Sequence, residues 1–259
     1  MTEVVVARHL SKRYGRTTAV ADVSLAVSAG EVVCLLGPNG AGKSTTIRML
    51  ATLTRPDGGT ARVAGHEITK EPAAVRARIG YVAQNAGTDG YLTGRENLRS
   101  QAHAQRIRRA DVTVRVSELL EMVGLDDAAD RLVNTYSGGM RRRLEIAMGI
   151  VHRPQLVVLD EPTTGLDPEA RVDLWRELAV LGSRQPMSIL LTTHYLDEAE
   201  QLADRIVIID RGRVIIHGTP TDLKAALGPD STLNDVYFHH TGRRSAVGEV
   251  DQLSSAVIS

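Results

Sequence analysis

A single cysteine, Cys34, stands in 259 residues, so this chain cannot build a disulfide framework or a multi-cysteine zinc or iron–sulfur centre. Aromatic side chains are scarce as well: one Trp, one Phe and six Tyr, which makes each ring informative about a stacking site. Neither charge is in excess. Lys plus Arg and Asp plus Glu number 31 each, a balance that argues against a domain whose work is to coat nucleic acid. No apolar stretch approaches the roughly 18–20 residues that span a bilayer, and the longest runs, such as 32–36 and 156–159, are strand-sized. The start, MTEVVVARHL, lacks a basic segment followed by an apolar core and a small-residue cleavage site, so no secretory leader is expected. Internal repeats and long heptad runs are missing. The eight histidines are scattered, and their one adjacent pair, His239 and His240, reads as loop composition.

What is present points to a mixed α/β core, cytosolic by default. The 42% hydrophobic share suffices for such a core, and the length suits one large domain or two small ones. Residues 31–36 form an apolar run closed by Gly37, a buried strand, and 43–53 reads as a helix with Ile47, Leu50 and Leu53 on one face. A turn cluster at 56–59 precedes a short strand at 60–63, and a strand at 79–83 leads into a polar, Gly-rich loop at 84–94. From about 95 to 152 the pattern is nearly all helical. Val112, Val116, Leu119 and Val123 recur at helical spacing, with Gly124 as a C-terminal cap. Strands return at 156–160 and 188–193, and a hairpin of 205–210 with 213–217 turns at Arg211-Gly212. Between the first two, Asp167 predicts an N-cap, Pro168 the first helical position, Leu174, Leu178 and Leu181 the apolar stripe, and Gly182 the stop. The tail from about residue 221 is weakly patterned, with frayed last residues expected.

Gly37-Pro38-Asn39-Gly40-Ala41-Gly42-Lys43-Ser44-Thr45 fits G-x-x-x-x-G-K-[ST], directly after a strand and directly before a helix. Its glycines let consecutive N–H groups turn inward at phosphate oxygens, and the helix start adds partial positive charge. Lys43 reaches β and γ phosphates, and Ser44 offers a hydroxyl to Mg²⁺. The buried run 156–160 ends in Asp160, a carboxylate placed to hold the same Mg²⁺. Glu161 follows, where it can polarise a water that attacks the γ phosphate. Together these make a nucleotide site.

Tyr136-Ser137-Gly138-Gly139-Met140 opens a helix with Leu144, Ala147, Met148 and Val151 on one side, and it resembles the signature motif of ABC-type ATPases, usually Leu-Ser-Gly-Gly-Gln. Further elements follow the family in order over about residues 1–220. Gln84 matches the Q-loop glutamine, implied to touch Mg²⁺ or the attacking water. Gly165-Leu166-Asp167-Pro168 matches the D-loop, with Asp167 implied to contact a dimer partner. His194 matches the switch histidine, implied to bind the γ phosphate, and Tyr14 matches the aromatic that stacks on adenine. The resemblance implies a P-loop NTPase fold with a RecA-like core, a small antiparallel β subdomain and an inserted helical subdomain. In domain terms it implies an ATPase domain over 1–222, the helical insert at about 86–152, and a C-terminal extension over 223–259. It also implies a head-to-tail homodimer that encloses two ATP with Mg²⁺ between one copy's P-loop and the other's Ser137, Gly138 and Gly139. Tyr136 and Met140 depart from the family's leucine and glutamine.

Three stretches narrow the resemblance: Tyr136–Leu144 in sequence (YSGGMRRRL), residues 92–98 (LTGRENL) and 233–238 (LNDVYF) look like the daunorubicin-resistance type of ATP-binding subunit. That type implies export of a drug, antibiotic or other hydrophobic small molecule through a separate membrane permease, with this subunit at the cytoplasmic face of the membrane. An importer subunit and a non-transport ATPase of the same family remain the alternatives. The arginine run 141–143 reads as a solvated helix face, so no nucleic-acid partner is expected. Tyr91 and Leu92, as exposed apolar side chains in the loop after Gln84, are expected to dock the permease.

Overall fold

The computed structural model describes residues 2–84, 87–184 and 187–242. It opens with two strands that the sequence reading did not mark, β1 (Glu3–Tyr14) and β2 (Thr17–Ser28), paired antiparallel around Gly15-Arg16 with Gly15 at φ +57°. They are followed by β3 (Val32–Leu36), α1 (Lys43–Leu50), β4 (Gly58–Val63), β5 (His66–Glu67), α2 (Pro72–Arg76) and β6 (Ile79–Val82). A helical stretch comes next: α3 (Gly94–Ala104), α4 (Arg109–Met122) and, after a 3₁₀ turn at Val133–Thr135, α5 (Gly138–Gly149). Then come β7 (Leu156–Asp160), α6 (Pro168–Arg184), β8 (Ser188–Thr193), α7 (Leu196–Leu202), β9 (Arg205–Asp210), β10 (Arg213–Gly218), α8 (Pro220–Leu227) and α9 (Leu233–Thr241).

Among the described residues the strands form one sheet in the order β5-β4-β1-β2-β10-β9-β3-β8-β7-β6. The β9-β3-β8-β7-β6 half is parallel, the β5-β4-β1-β2 half antiparallel, and a single bridge, Arg213 to Asp22, joins them through β10. The parallel strands are apolar in their interiors because both their faces are covered, with polar residues at the ends of β7, β8 and β9. Cys34, Leu36, Val157, Leu159, Ile189, Leu191, Ile206 and Ile208 face a core shared with α3–α5 and the C-terminal helices. Val33, Leu35, Leu156, Val158, Leu190, Val207 and Ile209 face the opposite core, against α1 and the antiparallel strands. Cys34 is fully buried, and burial followed by the nearby Glu198 pushes its thiol well up, as suits a packing residue. No helix among the described residues is long and apolar enough to cross a membrane.

Several local expectations are corrected. Helix α1 ends at Leu50, Thr52 takes φ +61°, and Leu53 lies exposed rather than on the buried face with Ile47 and Leu50. Helix α6 runs through Gly182 to Arg184: an interior glycine costs only about 1 kcal/mol, which Leu174 and Leu178 offset by burial. The Leu181 side chain and the last residues, 243–259, lie outside what is described. The tail after 221 holds two helices rather than weak pattern. Thr219 caps α8 through the Asp222 N–H with Pro220 at its start, and Thr232 and Asp235 form a capping box on α9. His239 and His240 therefore sit in the last turn of a helix, not in a loop. The hairpin at Arg211-Gly212 is as expected, with both residues at positive φ.

One consequence of the topology places the chemistry. The loops after β3, β8, β7 and β6 leave the same carboxyl edge of four neighbouring parallel strands, and they carry 37–45, His194, Asp160 with Glu161, and Gln84. Ligand sites of open α/β sheets sit at that edge.

Candidate active site

Gly37 leaves β3 where a Cβ would lie 2.2 Å from the Ile209 carbonyl oxygen, and Gly42 takes φ +103° with its missing Cβ 2.5 Å from the Ala19 carbonyl oxygen. Only glycine fits either position, and both fix the path of the loop between them. Gly42 is also the N-cap of α1, and having no side chain it leaves the first-turn N–H groups uncapped. Helices α3, α5, α8 and α9 are instead capped by Thr93, Ser137, Thr219 and Thr232. An uncapped helix start behind a glycine-shaped loop is suited to an anion. The buried Lys43 follows. Its Nζ donates to the carbonyls of Gly37 (2.7 Å) and Pro38 (3.2 Å) and lies 3.3 Å from Glu161 Oε1.

Asp160 ends β7 buried, and its Oδ1 accepts from Ser44 Oγ and from Thr192 Oγ1, each at 2.9 Å. The Tyr81 hydroxyl donates to Oδ2 at 3.4 Å. Burial and the neighbouring Asp160 push that phenol up, against the pull of Arg48. The hydrogen bond to Tyr81 in turn raises the Arg48 guanidinium. A carboxylate beside a hydroxyl, both hard oxygen donors, suits Mg²⁺, which takes one or two protein ligands and completes its shell with phosphate and water. Among the described residues no cluster of three His, Cys, Asp or Glu would hold a metal by itself.

Glu161 stands at φ +45°, a costly conformation for a side-chain-bearing residue. Its N–H donates to Thr192 Oγ1 at 3.0 Å. Its Oε2 accepts from Gln84 Nε2 (3.2 Å) and Thr164 Oγ1 (3.1 Å), while Oε1 faces Lys43 and, at 3.5 Å, His194 Nδ1. That nitrogen is buried and makes no hydrogen bond, and the imidazole lies tilted against the Tyr195 ring with centroids 4.1 Å apart. The structure therefore brings 37–45, Gln84, Asp160, Glu161 and His194 to one place.

The ABC transporter family model matches residues 20–164, more than half of the chain. This chain belongs to the ABC transporter family. It is an ATP-binding subunit, an ATPase, with the P-loop NTPase fold expected from its motifs. It is 55% identical to the daunorubicin/doxorubicin resistance ATP-binding protein DrrA of Streptomyces peucetius over 98% of this chain and 76% of that protein. It is 40% identical to the linearmycin resistance ATP-binding protein LnrL of Bacillus subtilis, over 88% of this chain and 73% of that one. A solved structure described as the ATP binding subunit of an ABC transporter superposes with a TM-score of 0.81 at 31% identity, covering 92% of this chain and 99% of the other.

The remaining motif residues of this ABC subunit lie apart from that cluster. Ser137 caps α5, and the bare faces of Gly138 and Gly139 lie against Leu166 and Ala170. Asp167 accepts from the Ala170 N–H at 2.8 Å, the expected cap of α6. Among the described residues no hydrogen bond joins Ser137, Gly138 or Gly139 to 37–45. Tyr14 ends β1 half-exposed, with Lys12 Nζ 5.6 Å from its ring centroid. Tyr136, the departure from leucine, is buried: its hydroxyl donates to the Ala128 carbonyl at 2.7 Å and occupies space that only Gly94 leaves open.

Two expectations change here. Leu92 is half-buried and ties back through its carbonyl to the Val133 N–H, so of the loop pair only Tyr91, 87% exposed, is free to dock a partner. The arginine run is not a solvated face. Arg141 is exposed, Arg143 pairs with Glu177, and Arg142 is buried under the site. Helical spacing holds the missed signal, since 142, 145, 146 and 149 share a face that also buries Ile146 and Gly149. Thr192, which braces both acids, was likewise missed, although a polar pair, Thr192-Thr193, closes the apolar run Ile189–Leu191 just before His194.

Proposed function

We propose that this subunit hydrolyses ATP to drive export of a drug, antibiotic or other hydrophobic small molecule through a separate membrane permease, working as a pair of copies at the cytoplasmic face of the membrane. The direction of transport rests on relatives named for daunorubicin, doxorubicin and linearmycin resistance. The hydrolytic reading rests on one observation above the rest, the Glu161 carboxylate held among Lys43, Gln84, Thr164 and His194.

In this reading the N–H groups of 37–45 and the Lys43 ammonium bind the phosphates, and Tyr14 stacks on adenine. Ser44, Asp160 and Gln84 hold Mg²⁺, which neutralises phosphate charge when bound. Glu161 takes the proton of the attacking water while His194 and Gln84 orient it. Ser137, Gly138, Gly139 and Asp167 meet the nucleotide of the partner copy, and the exposed Tyr91 faces the permease. We assign the ATPase domain to 1–222 with its helical insert at about 86–152, and the extension to 223–259; α8 straddles that last boundary.

Glu161→Gln keeps the side-chain shape and removes the base. With the permease present, this variant should bind ATP with wild-type affinity, accumulate as a closed pair and lose turnover by about 10²-fold or more. Turnover near the wild-type rate would overturn the base assignment. Cargo uptake, rather than release, in vesicles carrying the complex would overturn the export direction.

A further inference from the structure

Arg142 lies in α5, one turn beyond the signature glycines, and only 6% of it is exposed. Its guanidinium serves four acceptors. Nη1 donates to the Ala83 carbonyl (2.7 Å) and to Glu145 Oε2 (2.8 Å), Nε to the Pro162 carbonyl (2.8 Å), and Nη2 to the Asp160 carbonyl (3.2 Å). Glu145, also buried, accepts from the Gly87 N–H at 3.3 Å through its other oxygen. The three carbonyls are not arbitrary. Ala83 precedes Gln84, and Asp160 and Pro162 flank Glu161.

The peptide between Asp160 and Glu161 is therefore gripped from both sides, its C=O by Arg142 and its N–H by Thr192. A strained φ persists only where the surroundings over-determine it, and Glu161 at +45° is such a case. Helix α5 is itself set tightly on β6. A Cβ on Gly80 would lie 2.1 Å from the Gly149 carbonyl oxygen, and one on Gly149 would lie 2.8 Å from Val82 Cγ2. One short rigid helix thus carries the signature glycines at its start, the Arg142–Glu145 pair in its middle and a fixed seat on the strand leading to Gln84 at its end.

We infer that Arg142, backed by Glu145, is a positioning residue for hydrolysis: it holds the Glu161 backbone in its strained conformation and makes the placement of Glu161 and Gln84 follow the position of the signature helix. This rests on the reading of Glu161 as base. A group that positions the base, and touches neither ATP nor metal, affects turnover and leaves nucleotide affinity alone.

The test uses the full chain and three substitutions, Arg142→Lys, Arg142→Met and the pair Arg142→Met/Glu145→Met. The pair removes both charges together and leaves no orphan ion in the interior. Lysine keeps the charge but cannot fork to three carbonyls. Each variant that melts cooperatively should show kcat lowered at least about tenfold with KM for ATP within about twofold of wild type. A folded Arg142→Lys or double variant with wild-type kcat would overturn the inference, leaving Arg142 a packing residue. A raised KM at unchanged kcat would also overturn it, by moving Arg142 into nucleotide binding. Glu161→Gln measured in parallel separates the two readings: if it is inactive while the Arg142 variants turn over normally, only the positioning role fails, and if it turns over normally, the base assignment fails first.

Discussion

Two buried glutamates of this subunit sit in different surroundings. Glu161 has the Lys43 ammonium on Oε1 and the Gln84 amide and Thr164 hydroxyl on Oε2, whereas Glu198, fully buried in α7, has the Trp175 indole N–H on Oε1 at 3.2 Å and no hydrogen bond on Oε2. Desolvation raises the Glu198 carboxyl above the usual glutamate range, against smaller opposing contributions from its polar neighbours and Arg171. A carboxyl whose folded pKa lies above its unfolded value contributes stability that is complete below the unfolded pKa and is lost as pH rises through the folded one. Glu198→Gln retains an acceptor for Trp175 and has nothing to titrate. Its melting temperature should therefore gain on the wild type as pH is raised from about 4 to about 7. A gap that stays constant over that interval would mean that Glu198 does not titrate differently on folding.

At the scale of elements, the helical insert is held by a lock between α3 and the segment before α5. The Tyr136 hydroxyl bonds the Ala128 carbonyl and lies where a Cβ on Gly94 would come within 2.4 Å. Gly94→Ala should cost about 1–3 kcal/mol by overpacking. Tyr136→Leu should cost a similar amount through the lost ring and the unpaired carbonyl. Combined, the leucine vacates the space that the alanine needs, so the double variant should fall short of the sum by at least about 1 kcal/mol in urea unfolding. Strict additivity would show that the two positions do not share this space. The same lock explains a limit of reading sequence alone. Tyr136 in place of leucine is visible as a departure, but the glycine that admits it sits 42 positions earlier, and only the fold joins them. The strands β1 and β2 escaped notice for a related reason: their burial is mixed and interrupted by register shifts, so no clean alternation marks them. Helices α8 and α9 did carry local signals, Thr219-Pro220-Thr221-Asp222 and Thr232-Leu233-Asn234-Asp235, which are cap patterns. The central strands were legible because burial on both faces writes a largely apolar run, and each run ends in a chemically distinctive residue, though the bracing role of Thr192 was not legible.

For the whole molecule, the separation of the α1 start from the signature glycines of α5 bears on how many chains make one active site. The uncapped start of α1 belongs to the Lys43 cluster, while the signature glycines pack against Leu166 and Ala170 and make no hydrogen bond to 37–45 among the described residues. If each signature completes the partner's site, two chains arranged head to tail contain two composite sites, and loss of Lys43 and loss of Ser137 fall on different parts of each. In a pair made of one Lys43→Ala chain and one Ser137→Ala chain, both defects meet in one site and the other site is intact. Each variant alone should be inactive. Mixed in equal amounts, they should recover about a quarter of the wild-type ATPase rate, since half the pairs are mixed and each of those keeps one of two sites. A mixture no faster than its parents would mean that each chain completes its own site, and the paired arrangement would have to be abandoned. Recovery that disappears on dilution below the pair's dissociation constant would tie activity to the pair itself.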